Sequence, residues 1–354
     1  MTQEQLTLLN IGQNLDDLMN LDPRGYGVCR ILYKASRAYA GEPVSMHAAR
    51  VMQDTIKPGD LVYVFTGFVL LPHRKAEMDG ICGAMHLVRA IALMGGTPVM
   101  IVPQANVHAI QALAPVVGLH YYDNVADAAA VHASVAVLPF TTDASKASAC
   151  ADAILAQGKP SLVLSTETAG ANALGVYHNA LGRDITELEA KSDLLFKRLG
   201  ELGVPTIAVG DLGNEMGMGT LREHLVRWIP SAAPGSCQCG CGGGLVADTN
   251  ADYVVTATVS DWGVYAMLAA LAHLTGKYDL MATAERVREV ITTASRSGMV
   301  DLYGWLIPAA DGCDADFNAT IAHLMRRCVE NAAGLTETCR GWFEKVDALG
   351  FFEE

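Results

Sequence analysis

The sequence has no uninterrupted apolar segment long enough to cross a membrane. Its best apolar stretch, residues 61–71, is about half as long as the roughly 20 residues that a bilayer helix requires. The first residues contain acidic side chains and no basic cluster, so they match neither a secretory signal nor an arginine-rich transit peptide. We therefore expect a cytoplasmic protein that has no membrane partner.

Concentrated positive charge is also missing. The formal net charge is −13, and no run of Lys and Arg is longer than two residues. A nucleic-acid groove needs clustered basic side chains that displace counterions from phosphates. The sequence therefore excludes nucleic acid as an expected partner, and a small molecule is favoured. The sequence leaves a homo-oligomer open.

Several cofactor motifs are absent. There is no G-x-x-x-x-G-K-[ST] loop, no strand-linked G-x-G-x-x-G and no H-E-x-x-H, so we expect neither ATP, nor NAD, nor a zinc ion held by paired histidines. The nine cysteines are scattered and odd in number, as is typical of free thiols in a reducing compartment. The run Cys237-x-Cys239-x-Cys241 lacks the C-x₂-C pairs of common zinc sites, and it predicts a flexible loop with free thiols.

The composition that remains is that of a globular α/β protein. Apolar residues make up 51% of the chain, charged residues make up 18%, and 34 glycines provide for many tight turns. From residue 59 onward, short apolar runs alternate with helical patterns. The predicted strands are 61–65, 98–102, 120–122, 135–138, 161–165, 206–209 and 253–258. The predicted helices are 27–40, 45–56, 80–94, 107–113, 126–133, 144–156, 184–202, 262–274, 317–330 and 335–348.

This alternation predicts a parallel sheet, because helical crossovers join parallel strands with right-handed connections. We expect a doubly wound, mostly parallel sheet with helices on both faces, plus N-terminal and C-terminal helices. The predicted parts are an N-terminal helical segment (1–58), an α/β domain (59–330) and a C-terminal helical extension (331–354). Ligands of such sheets bind beyond the carboxyl ends of the strands.

The most distinctive strand-end loop has the sequence GDLGNEMGMG at residues 210–219. Its side chains Asp211, Asn214 and Glu215 offer hard oxygen ligands for Mg²⁺, Mn²⁺ or Ca²⁺, or acid and base groups. If a helix begins in this loop, its free N–H groups can bind an anion. The alternative is an ordinary strand-to-helix turn that Asp211 caps.

Three further loops carry polar residues at strand ends. After the first strand come Thr66-Gly67-Phe68 and then Glu77 and Asp79, which either act in a site or interact with a helix dipole. The long glycine-spaced loop that starts at Glu167 contains an arginine suited to bidentate binding of a carboxylate, or simply exposed at the surface. The last loop is Ser260-Asp261-Trp262-Gly263, where Trp262 either forms a pocket wall or packs in the core.

Together these segments resemble the D-glutamate cyclase family, in its catalytic C-terminal region, over residues 15–330. The match is most specific where GDLGNEMGMG resembles the family signature GDGGNE-x-GMG. The other matching pieces are DPRG at 22–25, TGF at 66–68, E-x-D-G at 77–80, the loop from Glu167 through YHN at 177–179, R-D-I at 183–185, SDWG at 260–263 and ADG at 310–312. This sequence differs from the family pattern in three places: Leu212 stands where the family has glycine, Asp261 stands where it has asparagine, and the cysteine-rich segment is an insert. The extra negative charge of Asp261 is expected to repel an anionic amino acid.

The resemblance implies a hydro-lyase of amino-acid metabolism that reversibly cyclises D-glutamate to 5-oxo-D-proline with loss of water. The amine needs a base, and the γ-carboxylate needs a proton or a divalent cation. The implied catalytic residues are Asp211, Asn214, Glu215, Glu77, Asp79 and Glu167, with Asp79, Asp211 and Glu215 as candidate metal ligands. The implied substrate-binding residues are Thr66, Gly67, Phe68, Asn179, Arg183, Gly213, Gly217, Ser260 and Trp262.

Three other functions stay open on sequence alone, and one of them is a structural subunit in a larger complex. The same carboxylates would serve a metal-dependent hydrolase or lyase that acts on another small carboxylic acid or lactam. A non-catalytic small-molecule sensor would bind a ligand without turnover, although several carboxylates on strand-end loops favour an enzyme over a sensor.

Overall fold

The computed structural model of the chain describes residues 3–350, with residues 3, 333–340, 343 and 347 described without their side chains. Among the described residues, no helix combines the length and the apolar composition needed to cross a bilayer. The described helices are α1 (Gln3–Met19), α2 (Val28–Ala40), α3 (Val44–Thr55), α4 (Ile81–Leu93), α5 (Val107–Leu113), α6 (Val125–Ala129), α7 (Ala147–Leu155), α8 (Asp193–Glu201), α9 (Arg222–Trp228), α10 (Ser260–Thr275), α11 (Ala284–Arg296) and α12 (Ala315–Asp347).

Seven strands form one parallel sheet in the order β5-β6-β4-β1-β7-β8-β9, and two short antiparallel pairs, β2-β3 and β10-β11, lie outside it. This confirms the predicted doubly wound α/β fold. The strands are β1 (Leu61–Gly67), β2 (Val69–Leu70), β3 (Lys75–Ala76), β4 (Thr97–Pro103), β5 (His120–Tyr122), β6 (Ser134–Phe140), β7 (Leu162–Thr168), β8 (Thr206–Gly210), β9 (Tyr253–Thr256), β10 (Ala309–Ala310) and β11 (Cys313–Asp314).

Both faces of the sheet are covered by helices, which explains why the strand sequences are apolar without alternation. In β1, Val62 and Val64 pack into a cluster with α1, α3, α4 and α10. The intervening Tyr63 and Phe65 pack into a second cluster with α2, α7 and α8. The ring of Phe65 meets Phe196 of α8 edge to face, with centroids 5.8 Å apart.

The strand order reverses between β1 and β7. From β1 the chain proceeds to β4 and its neighbours on one side, whereas from β7 it proceeds to β8 and β9 on the other. Connections that leave in opposite directions open a crevice at the carboxyl ends of the two central strands, where ligands of doubly wound sheets bind. The loops that follow β1, β7 and β8 therefore meet at this edge.

Three predicted helices differ from the structure. The helix predicted for 184–202 is present only as α8, because side chains and backbone groups in the preceding segment bond to other elements. Glu189 Oε1 accepts the N–H of Val69 at 2.9 Å, and the N–H of Lys191 donates to Thr141 O at 2.9 Å. The helices predicted for 317–330 and 335–348 are one continuous helix, α12, which crosses the predicted boundary at residue 331. Residues 351–354 of the predicted extension lie outside the described residues, and the three-part division stays a prediction.

Candidate active site

A cavity of about 250 Å³ lies at the crevice between β1 and β7. This volume is just below the range of pockets for drug-sized ligands and suits a small metabolite. The predicted site residues that line it are Phe68, Glu77, Asp79, Glu167, Asn179, Arg183, Asp211 and Asn214.

Two sets of carboxylates converge on the cavity. Asp79, Asp211 and Asp311 each have an oxygen within 4.8 Å of the others, and so do Glu167, Asp211 and Glu215. Asp211 belongs to both sets, so it lies at the centre of the acidic groups. The structure thus brings the predicted ligands Asp79, Asp211 and Glu215 to one edge of the sheet, although they divide between two neighbouring sets.

A β-bulge directs Glu167 into the site. The β1–β7 pairing joins Thr66 to Thr166 and then Gly67 to Thr168, which leaves Glu167 unpaired at the end of β7. Its φ of 43° is in the left-handed region, an outlier of the kind that clusters at functional sites. The Glu167 Oε2 atom accepts a hydrogen bond of 2.7 Å from Ser260 Oγ, which makes the predicted residue Ser260 a support for Glu167.

Gly80 is required by this arrangement. Its φ is 77°, and a Cβ atom at that position would collide with Cβ of Glu167. Gly67, which also has a positive φ, would similarly collide with the buried side chain of Asn106 if it carried a Cβ atom. These glycines therefore allow the strand-end loops to approach one another closely.

Asp79 and Asp261 cap two helices reciprocally. The Asp79 carboxylate accepts N–H groups of Ser260 at 3.0 Å and Asp261 at 2.9 Å, at the start of α10. In return, Asp261 Oδ1 accepts N–H groups of Gly80 at 2.9 Å and Gly83 at 2.6 Å, at the start of α4. The positive ends of both helix dipoles thus point at the buried carboxyl groups and offset only part of the cost of a negative charge there.

The Asp261 side chain is completely buried and does not line the cavity. A substrate in the cavity would therefore not contact Asp261, and the predicted repulsion of an anionic substrate is not expected from direct contact. Burial and the neighbouring Asp79 hold the pKa of Asp261 well above its usual range. A protonated Asp261 has nearly the shape and charge of the asparagine found at this position in the resembling family. The substitution therefore preserves the local chemistry.

We predict that Asp261→Asn leaves stability and activity almost unchanged at neutral pH, with the free energy of unfolding altered by less than about 1 kcal/mol. The amide oxygen still accepts from Gly80 and Gly83, and an amide at position 261 is neutral without having to bind a proton. Urea unfolding and steady-state kinetics on the variant test this. A large loss of either would show that Asp261 is needed as a carboxylate, and Asp261→Ala, which removes both hydrogen bonds, is expected to destabilise the fold.

Glu215 shapes the loop that carries Asp211. Its side chain is completely buried, and its carboxylate accepts three backbone N–H groups from its own loop. Oε1 accepts Asp211 N at 2.8 Å and Leu212 N at 2.7 Å, and Oε2 accepts Gly213 N at 2.5 Å. We infer that Glu215 positions Asp211 rather than reacting itself, although its oxygens remain next to Glu167.

Three of the N–H groups predicted to bind an anion in this loop are already paired. Gly213 N donates to Glu215, Met216 N donates to Thr168 O at 2.7 Å, and Gly217 N donates to Thr249 Oγ1 at 2.7 Å. No α-helix begins in the loop either, since a 3₁₀ turn follows at Gly219–Leu221 and α9 starts after it. Gly213 and Gly217 each have a positive φ, so we assign them to the turn of the backbone rather than to ligand binding.

Asn214 presents an unpaired acceptor to the cavity that it lines. Its Nδ2 atom donates to His178 O at 2.8 Å, which joins two of the site loops. Its buried Oδ1 atom has no hydrogen-bond partner in the described part of the chain. Buried acceptors are normally satisfied, so this oxygen is available to a substrate or a cation.

Arg24 and Asp311 complete the site, and neither was among the predicted site residues. Arg24 forms a close salt bridge with Asp311, donates to Thr258 O at 2.5 Å and lies 3.9 Å from Asp211 Oδ2. Asp311 has a φ of 50° and is buried. The sequence did contain an indication that these two residues belong to the site: Arg24 is in DPRG and Asp311 is in ADG, two segments that resemble the family.

Negative charge exceeds positive charge around the cavity. Burial is the main cause that raises the pKa values of Glu77, Glu167 and Asp211 well above their usual range, and the neighbouring carboxylates raise them further. The pKa of Asp79 rises to about 6 for the same reasons, although three backbone hydrogen bonds oppose the rise. Carboxyl groups with raised pKa values hold their protons to a higher pH than usual, and a divalent cation that binds them favours release of those protons.

The remaining predicted residues differ in their positions. Asn179 and Arg183 line the cavity from the loop after β7; Asn179 Oδ1 accepts backbone N–H groups of that loop, while Arg183 is exposed. Thr66 is buried at the end of β1 and does not line the cavity. Trp262 does not form a pocket wall: it is buried in the core, with Nε1 donating to Asn318 of α12 at 2.7 Å.

The chain is similar in sequence to known proteins. The family model described as D-glutamate cyclase-like, C-terminal, matches residues 15–326. A human protein named D-glutamate cyclase, mitochondrial, is 27% identical over 343 residues, an alignment that covers 96% of this chain and 49% of that protein. The chain thus spans about half the length of this curated relative. The relative's name describes a mitochondrial protein, and the cytoplasmic location of this chain stays a prediction.

Proposed function

This chain belongs to the D-glutamate cyclase-like C-terminal family, and we propose that it catalyses the reversible cyclisation of D-glutamate to 5-oxo-D-proline with loss of water. The observation that carries the proposal is the convergence of Glu77, Asp79, Glu167 and Asp211 on one small cavity that also contains Arg24. A reaction that moves two protons and expels water from a carboxyl group needs such groups.

The reaction requires proton transfer in both directions. In the forward direction, the ammonium nitrogen loses two protons as it bonds to the γ-carbon, and the C–O bond breaks as the departing oxygen gains two protons and leaves as water. The pKa values of Glu167 and Asp211 are raised well above the usual carboxyl range, which makes proton donation and acceptance by these groups more nearly balanced than for an exposed carboxylate. In the proposed roles, Asp211 accepts the amine proton and Glu167 donates to the departing oxygen.

The substrate carries carboxylates that need positive partners. Arg183 lines the cavity mouth with no salt bridge in the described residues, so its guanidinium is available for bidentate binding of the α-carboxylate. Arg24 lies deeper, between Asp211 and Asp311, where it limits the repulsion between these carboxylates and the substrate. The acidic cavity would otherwise repel an anionic amino acid.

A divalent cation fits the oxygen-rich site. Carboxylate oxygens and the unpaired Oδ1 of Asn214 are hard ligands that suit Mg²⁺, Mn²⁺ or Ca²⁺. Asp211, common to both acidic sets, would hold the ion. When bound, the cation would polarise the γ-carboxyl group as a Lewis acid, and it would offset the excess of buried negative charge.

The proposed reaction is tested by incubating the protein with D-glutamate or 5-oxo-D-proline and quantifying both by chiral chromatography. We expect interconversion, at a rate that EDTA lowers by about 10²-fold or more and that added Mg²⁺ or Mn²⁺ alone restores. The L-enantiomers and related lactams serve as comparison substrates. Turnover of another lactam or small acid, but not of D-glutamate, would favour the broader hydrolase or lyase function. Ligand binding without any turnover would contradict both enzyme functions and favour a non-catalytic sensor.

A further inference from the structure

A second cluster of ligating side chains lies outside the cavity. It consists of Cys237, Cys239, Cys241 and His178, and is called the thiol cluster below. His178 Nε2 lies 3.1 Å from Cys239 Sγ and 3.5 Å from Cys241 Sγ, while Cys237 Sγ lies 3.5 Å from Cys241 Sγ and 3.6 Å from Cys239 Sγ. All four ligand atoms lie within 4.8 Å of one another.

Three of these four separations match the edges of a zinc tetrahedron, whereas the fourth, 3.1 Å from His178 Nε2 to Cys239 Sγ, is shorter. Zn–S bonds of about 2.3 Å and Zn–N bonds of about 2.0–2.1 Å place neighbouring ligand atoms roughly 3.5–3.8 Å apart. Thiolate and imidazole are ligands that select zinc over Mg²⁺ or Ca²⁺. We propose that His178, Cys237, Cys239 and Cys241 form a structural zinc site.

The backbone of the cysteine loop supports this geometry. Gly240 and Gly242 follow two of the cysteines and have φ values of 73° and 87°, so the chain turns sharply after each sulfur atom. Such turns direct backbone N–H groups back to sulfur: Cys241 N lies 3.4 Å from Cys239 Sγ, and Gly243 N lies 3.4 Å from Cys241 Sγ. N–H donors to sulfur stabilise the negative charge of zinc-bound thiolates.

The surroundings of the cluster favour a closed site. His178 is completely buried and Cys237 is buried, and Asn172 Nδ2 donates to Cys241 Sγ at 3.5 Å. Four protein ligands fill a tetrahedral coordination shell and leave no position for water or substrate, as is typical of structural rather than catalytic zinc. All three cysteines are free thiols. A disulfide between two of them would not account for the third cysteine or for His178, whereas a zinc ion would bind all four side chains.

The site would fasten one wall of the cavity. His178 directly precedes Asn179, the first residue of the segment 179–183 that lines the cavity, and its carbonyl accepts from Asn214 at 2.8 Å. On the other side, Cys239 N donates to Gly182 O at 3.1 Å. A zinc ion would therefore join the loop after β7 to the cysteine loop and hold Arg183 in place.

The test is the metal content of the full chain, expressed with zinc in the medium, freed of any affinity tag and dialysed against metal-free buffer. Inductively coupled plasma mass spectrometry is expected to find one zinc ion per chain. His178→Ala and Cys239→Ser are expected to contain almost none. Cys150→Ser is the matched control, because Cys150 is a free thiol on α7 outside the cluster, and it is expected to keep the zinc.

A second measurement does not depend on the variants folding. X-ray absorption at the zinc edge of the wild-type protein is expected to show three sulfur neighbours at about 2.3 Å and one nitrogen neighbour at about 2.0 Å. A zinc-free wild-type protein, or a shell of oxygen neighbours only, would overturn the proposal. Asp211→Asn is expected to keep its zinc, so the result is independent of the acidic cavity and of turnover.

Discussion

Asp211→Asn is expected to lower kcat/KM by about 10³-fold, within the range that a positioned acid or base contributes. Asp211 belongs to both acidic sets, lines the cavity and has the strongly raised pKa that suits proton transfer. An asparagine cannot take up a proton at this position, and it is a weaker ligand for a cation. Steady-state kinetics with D-glutamate and with 5-oxo-D-proline measure the loss in both directions.

The same substitution should leave the fold intact. Arg24 keeps its bonds to Asp311 and Thr258 when the Asp211 charge is removed, and repulsion among the carboxylates decreases. We therefore expect the free energy of unfolding in urea to stay within about 1 kcal/mol of wild type. Asp152→Asn is the matched control, because Asp152 is an exposed residue paired with Arg198 on α8, and it should keep full turnover. If Asp211→Asn also keeps full turnover, the acid–base and metal assignments are both wrong.

Glu215→Gln is expected to reduce both stability and activity. Three backbone N–H groups, from Asp211, Leu212 and Gly213, converge on the buried carboxylate, and a glutamine offers one oxygen and directs an NH₂ group at donors. Hydrogen bonds to charged groups contribute about 1.5–3 kcal/mol each, so we expect the free energy of unfolding to fall by about 3–5 kcal/mol. Urea titration measures this change.

Activity should fall because the loop moves. A displacement of about 1 Å at a reacting group costs roughly 10²-fold in rate, and Asp211 is the first residue that the Glu215 carboxylate holds. Glu223→Gln, on the exposed face of α9, is the control and should behave as wild type. A Glu215→Gln protein with wild-type stability but no turnover would contradict the positioning role and assign Glu215 to the chemistry.

The fold was predictable from local sequence patterns. Strands of a parallel sheet are buried on both faces, so runs such as residues 61–65 are continuously apolar and easy to recognise. The helix predicted for 184–202 was wrong because propensity cannot account for buried polar groups. There, the carboxylate of Glu189 and the backbone of Lys191 bond to β2 and to the loop after β6.

The general position of the site was predictable, whereas the roles within it were not. Parallel strands place all their carboxyl ends at one edge, so the loops that carry Asp79, Glu167 and Asp211 had to meet. The sequence alone did not show that the N–H groups of the 210–219 loop are already paired with Glu215, Thr168 and Thr249. These pairs argue against an anion on the N–H groups of Gly213, Met216 and Gly217.

The sequence by itself determined the alternation of strands and helices, the edge at which the candidate site lies and the acidic character of its loops, since each follows from local composition and order. Only the tertiary structure decided which carboxylates share a cavity, which merely cap helices, and that His178 meets a cysteine 61 residues away. Contacts between distant residues depend on how loops pack in three dimensions. A β-bulge at Glu167 or a positive φ at Gly240 changes where a side chain points without changing the apolar pattern.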